Sequence, residues 1–240
     1  MSFCTKNLSV GYAFPLASNL SFNFDEGDFI ALIGRNGSGK STFLKTIAGL
    51  IKPLCGNITV SGENISAIPP RKLAKQIAFV PAAFPSEVNI KVFDFIALGR
   101  TPHTNIFDRI TSRDLEIINT AINCLELTEF SNRRVNFLSD GQRGRVSLAR
   151  ALAQDTDILL LDEPTAFLDY PSRIKLFKFL TQLTTPHSAL RTGGKTILIS
   201  THELDLAKKF SKKILQFTGD GNSTGTALLN TVENTTVEWG

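Results

Sequence analysis

The sequence predicts an α/β fold built on a mostly parallel sheet, with a helical segment inserted between two of its strands. Three short apolar runs support this prediction, since each has the length and the unbroken hydrophobicity of a strand that is buried on both faces. These runs are DFIALIG (28–34), TDILLLDE (156–163) and KTILIS (195–200). Helical patterns separate them, and strands that alternate with helices are typical of a parallel sheet.

The helices and the remaining strand of this core follow in order along the chain. After the first strand, KSTFLKTIAGL (40–50) places its apolar residues at helical spacing. A further strand is expected at 77–80. Between the second and third apolar runs, SRIKLFKFLTQL (172–183) has the pattern of a helix. This order favours parallel strands that are joined by crossover helices.

The middle of the chain differs from the core because its patterns are mainly helical from about residue 86 to residue 155. Two examples are IKVFDFIALG (90–99) and SRDLEIINTAINCLEL (112–127). We therefore expect a single domain over 1–240, in which a helical subdomain (86–155) is inserted into the α/β core. The core itself is expected to comprise residues 1–85 and 156–217.

The two ends of the chain carry weaker signals. The start, MSFCTKNLSV, lacks the charged and then apolar layout of a signal peptide. The end, 218–240, is rich in Gly, Thr and Asn and has weak periodicity, which is typical of a frayed edge or a tail. No apolar stretch approaches the roughly 18 residues of a membrane span. We therefore expect any work at a membrane to be done through a partner.

Composition narrows the class of protein. The net charge is +4, and the Lys and Arg residues are spread along the chain, so the sequence predicts no nucleic-acid partner. Cys4, Cys55 and Cys124 are odd in number and widely spaced. This pattern favours a reducing compartment and argues against a thiolate zinc site.

The segment GRNGSGKST (34–42) matches the phosphate-loop pattern G-x-x-x-x-G-K-[ST] and lies between a predicted strand and a predicted helix. Its glycines allow successive backbone N–H groups to converge on phosphates. Lys40 adds a positive charge for the β- and γ-phosphates, and Ser41 offers a hydroxyl to Mg²⁺. The alternative is a glycine-rich turn of no function, but pattern and context both favour a nucleotide site. Its predicted residues are Gly34, Asn36, Gly37, Gly39, Lys40, Ser41 and Thr42.

Two acidic residues end the second apolar run. Asp162 lies at the carboxyl end of a predicted buried strand and is a candidate to hold Mg²⁺ through water. Glu163 is a candidate to polarise an attacking water molecule. Two adjacent carboxylates at a strand end can also be a simple polar turn. A phosphate loop in the same chain favours the catalytic interpretation.

His202 follows the third apolar run, in ISTHELD. Its imidazole is a candidate contact for the γ-phosphate. The alternative is a surface histidine in the first turn of a helix that Ser200 or Thr201 caps. The position at the same sheet edge as Asp162 favours a functional role.

The segment LSDGQRGR (138–145) predicts a helix start that is suited to an anion. Ser139 and Gln142 have the spacing of a capping box. Gly141 lets a ligand approach the backbone, and the free N–H groups of a first helical turn favour negative charge.

Taken together, these segments resemble the ATP-binding cassette (ABC) ATPases over residues 5 to 215. LSDGQ is similar to the signature motif of that family, normally LSGGQ, and DEPTAFLD (162–169) resembles its magnesium and base segment, which runs into the D-loop at Asp169. Tyr12 matches the aromatic residue that stacks on adenine, although a lone strand tyrosine can simply pack. The resemblance implies ATP and Mg²⁺ as ligands, a RecA-like core and an N-terminal antiparallel β element.

The resemblance also implies partners. In this family two cassettes close head to tail, so Ser139, Gly141 and Gln142 of one subunit are expected to contact the ATP held by the other. Within the family, FIALGRTPHTNIFDRIT (95–111) and RKLAKQIAFVP (71–81) resemble the importers of ferric siderophores, haem and cobalamin. This likeness implies a peripheral subunit at the cytoplasmic face of the membrane. Such a subunit works with a separate permease and, indirectly, with a substrate-binding protein.

Three residues depart from the family pattern. Asp140 replaces a glycine, Gly144 replaces a long polar residue, and Ala82 in FVPAAFP (79–85) replaces the glutamine of the Q-loop. Residues 218–240 also do not reproduce the strand and helix that usually end this group. Two alternatives therefore stay open: a weakly hydrolysing regulatory cassette, and a soluble ABC ATPase that is not tied to transport.

Overall fold

Two β-sheets organise the fold in the computed structural model, which describes residues 3–84, 88–104, 110–186, 194–219 and 224–232. The described residues form ten strands. They are β1 (Phe3–Gly11), β2 (Pro15–Phe24), β3 (Phe29–Ile33), β4 (Cys55–Val60), β5 (Glu63–Asn64), β6 (Ile77–Val80), β7 (Ile158–Asp162), β8 (Thr196–Ser200), β9 (Lys213–Phe217) and β10 (Ala227–Thr231).

The central sheet has the order β10-β9-β3-β8-β7-β6 and confirms the predicted parallel core. Its strands from β9 to β6 are parallel, and β10 pairs antiparallel with β9. Part of the segment 218–240 thus adds an edge strand, while 220–223 and 233–240 lie outside the described residues. Because β3, β7 and β8 are parallel neighbours, their carboxyl ends meet at one edge of the sheet.

The N-terminal sheet has the order β2-β1-β4-β5, and all of its pairs are antiparallel. This arrangement confirms the antiparallel element that the resemblance implied. The sheet packs with α1 (Lys40–Ile47) over one face of the central sheet. Strand β3 shows why its sequence is apolar without a break, since Ile30 and Leu32 pack on this face while Ala31 and Ile33 pack on the other.

The other helices are α2 (Pro70–Leu73), α3 (Val92–Ala97), α4 (Ser112–Cys124), α5 (Asp140–Ala153), α6 (Tyr170–Thr184) and α7 (Leu204–Phe210). Helices α3, α4 and α5 lie between β6 and β7 in the sequence, where an inserted helical segment was predicted. The bounds 86–155 for that subdomain stay a prediction. Within the described ranges, no helix has both the length and the apolar character that crossing a bilayer requires.

A buried ion pair ties these three helices together. Arg100 follows α3. Its Nε donates a hydrogen bond of 2.8 Å to Asp114 Oδ1, and its Nη1 donates one of 2.8 Å to the carbonyl oxygen of Ala153. Asp114 also closes the capping box of α4 with Thr111. Burial alone would raise the pKa of Asp114, but the hydrogen bonds from Thr111 and Arg100 outweigh it and lower the pKa to about 2. The charged form of Asp114 is therefore the one that stabilises the fold.

We expect the folded state to lose this contribution in acid. A carboxyl with a folded pKa near 2 and an ordinary value of 3.8 stabilises the fold above the ordinary value, and the gain disappears as the pH falls toward 2. The shift corresponds to about 2 kcal/mol. Urea unfolding of Asp114→Asn at pH 6 should show a loss of at least this size, and the variant should lack that part of the decline between pH 4 and pH 2.

The matched control is Glu63→Gln, which removes an ion pair between Glu63 and Lys72 whose side chains are 43% and 54% exposed. Its free energy of unfolding should change by less than about 1 kcal/mol. If Asp114→Asn and Glu63→Gln lowered the free energy of unfolding equally, burial would not be the reason that the ion pair of Asp114 stabilises the fold.

Candidate functional site

The loop between β3 and α1 has the backbone conformation that converging amide groups need. Gly34, Gly37 and Gly39 have φ angles of 147°, 79° and 100°. At Gly34 a Cβ atom would lie 2.6 Å from the carbonyl oxygen of Phe217, so only glycine fits there. Asn36 is exposed in the loop, and Thr42 is buried in the first turn of α1.

The side chains of this loop leave polar groups that suit a phosphate. Lys40 is buried, and its Nζ donates to the carbonyls of Gly34 and Arg35 over 2.8 Å and 3.0 Å. Burial lowers the pKa of Lys40, and the nearby Glu163 and Asp162 act in the opposite direction. The buried Oγ of Ser38 has no hydrogen-bond partner among the described residues. A phosphate oxygen would complete the hydrogen bonding of both side chains, so the loop fits a nucleotide.

Asp162 is the centre of a hydrogen-bonded group at the carboxyl edge of the sheet. Its Oδ1 accepts from Ser41 Oγ over 2.9 Å and from Ser200 Oγ over 2.7 Å. The backbone N–H of Glu163 donates to the same Ser200 Oγ over 2.8 Å. A carboxylate and a hydroxyl oxygen are ligands that Mg²⁺ prefers, so Asp162 and Ser41 fit that ion.

Glu163 and His202 lie beside this group. His202 Nε2 is 3.1 Å from Glu163 Oε1, and both residues line a small cavity of about 70 Å³. Glu163 has a φ angle of 47°, a left-handed conformation that a non-glycine residue rarely adopts. Strained backbone of this kind is concentrated at functional sites.

The interpretation of His202 as a residue in a capped first helical turn is wrong. Helix α7 begins at Leu204, and its N-cap residue is Glu203. Ser200 bonds Asp162 instead of capping the helix. Ser200 was not among the predicted site residues, although its position at the end of a buried strand, like that of Asp162, was an available signal.

The start of α5 has the predicted capping box. The backbone N–H of Ser139 donates to Gln142 Oε1 over 3.0 Å, and that of Gln142 donates to Ser139 Oγ over 3.3 Å. The Asp140 side chain is 61% exposed and pairs with Arg143 over 3.2 Å. The departure at Asp140 therefore leaves the capping bonds intact.

A cleft of about 760 Å³ joins the start of α5 to the segment before α6. Ser139, Gly141 and Gln142 line it together with Asp169. Asp169 accepts a hydrogen bond from the backbone of Ser172 over 3.1 Å, and hydrogen bonding to Ser172 lowers the pKa of Asp169. Within the described part of the chain, no hydrogen bond links these four residues to the group around Asp162. The predicted site residues thus form two separate groups.

Two predicted positions stand apart from both groups. Tyr12 directly follows β1 and is 64% exposed, so the alternative of a packed strand tyrosine is wrong. Ala82 is exposed in the loop after β6. The glutamine nearest to Ala82 in the sequence is Gln76, which lies at the other end of β6. Its backbone carbonyl accepts a hydrogen bond from the N–H of Ile158 over 3.0 Å. Part of the segment 95–111, namely 105–109, lies outside the described residues.

Comparison with known proteins identifies the family to which this geometry belongs. The family model described as ABC transporter matches residues 17–166. The chain belongs to the ABC transporter family. It is an ATP-binding cassette, and the family assignment makes it an ATPase.

Relatives of the cassette include two named for transport. It is 36% identical to the achromobactin transport ATP-binding protein of Dickeya dadantii, over 86% of the chain and 75% of the relative. It is 34% identical to the iron(3+)-hydroxamate import ATP-binding protein of Bacillus subtilis, over 88% of the chain and 76% of the relative. A solved cassette, a post-hydrolysis dimer bound to ADP and Pi, matches with a TM-score of 0.79 and 27% identity, covering 97% of this chain and all of that one.

We expect Lys40→Ala to bind ATP poorly. The variant loses a charge-assisted contact to phosphate worth about 2–3 kcal/mol, which corresponds to an affinity roughly 30- to 150-fold lower. Titration with a fluorescent ATP analogue measures this loss. Lys45→Ala removes a charge from the same helix outside the loop and should bind like the parent. Parental affinity of Lys40→Ala would show that the site lies elsewhere.

Proposed function

We propose that the cassette is the ATP-hydrolysing subunit of an importer. Its cargo is either an iron complex (a ferric siderophore or haem) or cobalamin. The observation that carries the ATPase part is the hydrogen-bonded group at the sheet edge, in which Ser41, Asp162 and Ser200 join the phosphate loop to Glu163. The iron part rests on the relatives, one of which is named for iron(3+)-hydroxamate import.

Each residue of the first group has a role in this proposal. Lys40 binds the β- and γ-phosphates in place of its present carbonyl partners. Glu163 accepts a proton from a water molecule, whose oxygen attacks the γ-phosphorus while the bond to the ADP oxygen breaks. His202 orients the Glu163 carboxylate through their 3.1 Å contact and reaches the γ-phosphate. Ser41 and Asp162 would hold Mg²⁺, which would offset the negative charge of the phosphates when bound.

The second group completes the site of another subunit. Ser139, Gly141 and Gln142 present the first turn of α5 to an anion. Among the described residues, no hydrogen bond joins this turn to the chain's own phosphate loop. A second cassette placed head to tail would bring its ATP to this turn. Asp169 lies in the same cleft and would contact the same partner. Tyr12, which is exposed after β1, would stack on adenine.

Transport across the membrane would require partner proteins. A separate permease would provide the path for the cargo, and a substrate-binding protein would deliver the cargo on the other side. The cassette would then sit at the cytoplasmic face of the membrane, with no nucleic acid involved. We assign the permease contact to the surface around Phe84 to Arg100, where Leu98 is 51% exposed.

The comparisons give no support to the two alternatives. Ala82 removes a polar group from the loop after β6, but Glu163 and His202 are present and in contact. The relatives described above are named for transport and import, which favours a cassette that works in transport.

We expect Glu163→Gln to trap a dimer. Glutamine keeps the shape of the side chain but cannot accept the proton, so ATP should persist between two closed subunits. Light scattering in the presence of Mg·ATP should report twice the monomer mass, and ADP should leave a monomer. A monomer in ATP at high protein concentration would contradict the head-to-tail arrangement.

We expect the tagged chain to co-purify with a membrane protein from detergent-solubilised membranes. Leu98→Asp should reduce this capture severalfold because a charge replaces an exposed apolar contact. Leu115→Asp is the matched control, since Leu115 is also exposed, at 42%, but lies on α4. Co-purification with DNA or ribosomes alone would defeat the transport proposal.

A further inference from the structure

A line of side-chain contacts links the loop after β6 to the helix that carries the signature. The ring of Phe84, in that loop, is partly buried and lies 4.9 Å from the ring of Phe95 on α3, measured between centroids. Phe95 is buried, and the guanidinium carbon of Arg150 on α5 lies 5.4 Å from its ring centroid. One ring therefore contacts both the loop and α5.

The ring of Phe95 is a cation–π partner of Arg150. Its Nε is buried and has no hydrogen-bond partner within the described residues, and no carboxylate in that part of the chain pairs with it. Burial also lowers the pKa of Arg150. The negative face of an aromatic ring attracts such a cation, and the attraction is stronger where water is excluded.

The backbone around Arg150 is in contact with residues 99–103, which follow Phe95 in the chain. A Cβ atom at Gly99 would lie 2.3 Å from the carbonyl oxygen of Arg150, so the two backbones are in direct contact. Arg100 donates to the carbonyl of Ala153, and His103 Nε2 is 2.9 Å from the carbonyl oxygen of Gln154. The last turn of α5 is thus packed against and hydrogen-bonded to residues 95–103, so we expect the two segments to move together.

The other end of α5 is the anion-binding turn at Ser139 and Gly141. The helix is continuous from Asp140 to Ala153, so a displacement of its last turn is carried to its first. Ala82 offers no polar group to a nucleotide. Phe84 lies two residues further on in the same loop, and its ring contacts Phe95, which in turn contacts Arg150 on α5.

We propose that Arg150 is a positioning residue, which acts through Phe95 to set the anion-binding end of α5 according to the position of the loop 81–84. This inference rests on the proposed function, because the turn at Ser139 acts on the ATP of a second subunit. Arg150 touches no substrate in this arrangement. Its effect is expected in the closing of the dimer, with no effect on ATP binding by the monomer.

The test uses the full chain carrying Glu163→Gln and measures, by light scattering in saturating Mg·ATP, the protein concentration at which half of it is dimeric. Phe84→Leu, Phe95→Leu and Arg150→Met should each raise this concentration about tenfold. Affinity of the monomer for a fluorescent ATP analogue should stay within about twofold. Arg150→Lys keeps the cation and should recover most of the loss.

A matched control is Arg133→Met, which removes a guanidinium that lies 5.5 Å from the ring centroid of Phe130. Within the described residues, the Phe130 ring has no ring contact with the loop 81–84, unlike the ring of Phe95. Arg133→Met should dimerise like the parent. If Arg150→Met does not fold, Phe84→Leu carries the test, because Phe84 is only partly buried.

A double-mutant cycle separates positioning from general destabilisation. Phe84 and Arg150 are expected to act through one ring, so Phe84→Leu and Arg150→Met combined should cost less than the product of their separate effects. In the presence of Phe95→Leu this non-additivity should vanish. The inference would be overturned if the effects of Phe84→Leu and Arg150→Met on dimerisation were independent. It would also be overturned if Arg150→Met dimerised at the same concentration as the Glu163→Gln chain. If the parent itself stays monomeric in ATP, the proposed function fails, and the inference fails with it.

Discussion

Asp162 holds together three segments that lie far apart in the sequence. Its carboxylate, at the end of β7, accepts from Ser41 in the first turn of α1 and from Ser200 at the end of β8. Ser200 in turn accepts the backbone N–H of Glu163. The phosphate loop, the candidate metal ligand and the candidate base are therefore positioned by one buried hydrogen-bonded group. Parallel pairing of β3, β8 and β7 makes this possible, because it brings their carboxyl ends to the same edge.

The fold class and the positions of most site residues could be predicted because their signals are local. The apolar runs of β3, β7 and β8 are continuous since both faces of the sheet are covered. The spacing of Ser139 and Gln142 specifies reciprocal bonds within one helical turn, and these bonds are present. Glycines at left-handed angles in the phosphate loop follow from its pattern in the same way.

Two contacts between distant segments were not predicted. The pairing of Ser200 with Asp162 depends on which strands are neighbours, and the pairing of Arg100 with Asp114 depends on how α3 meets α4. Neither pair has a fixed spacing that a pattern could detect. The edge strand β10 was also missed, because Leu228 and Leu229 lie in a segment rich in Gly, Thr and Asn, and pairing with β9 supplies the order that its own sequence lacks.

The left-handed backbone of Glu163 has a consequence for the evolution of this chain. A non-glycine residue at this φ angle costs on the order of 1–3 kcal/mol, which glycine or asparagine would largely recover. Random mutation under selection for thermal stability alone should therefore enrich replacements at position 163. Retention of a glutamate there requires continued selection for activity. The site is thus a place where folding stability and turnover favour different residues.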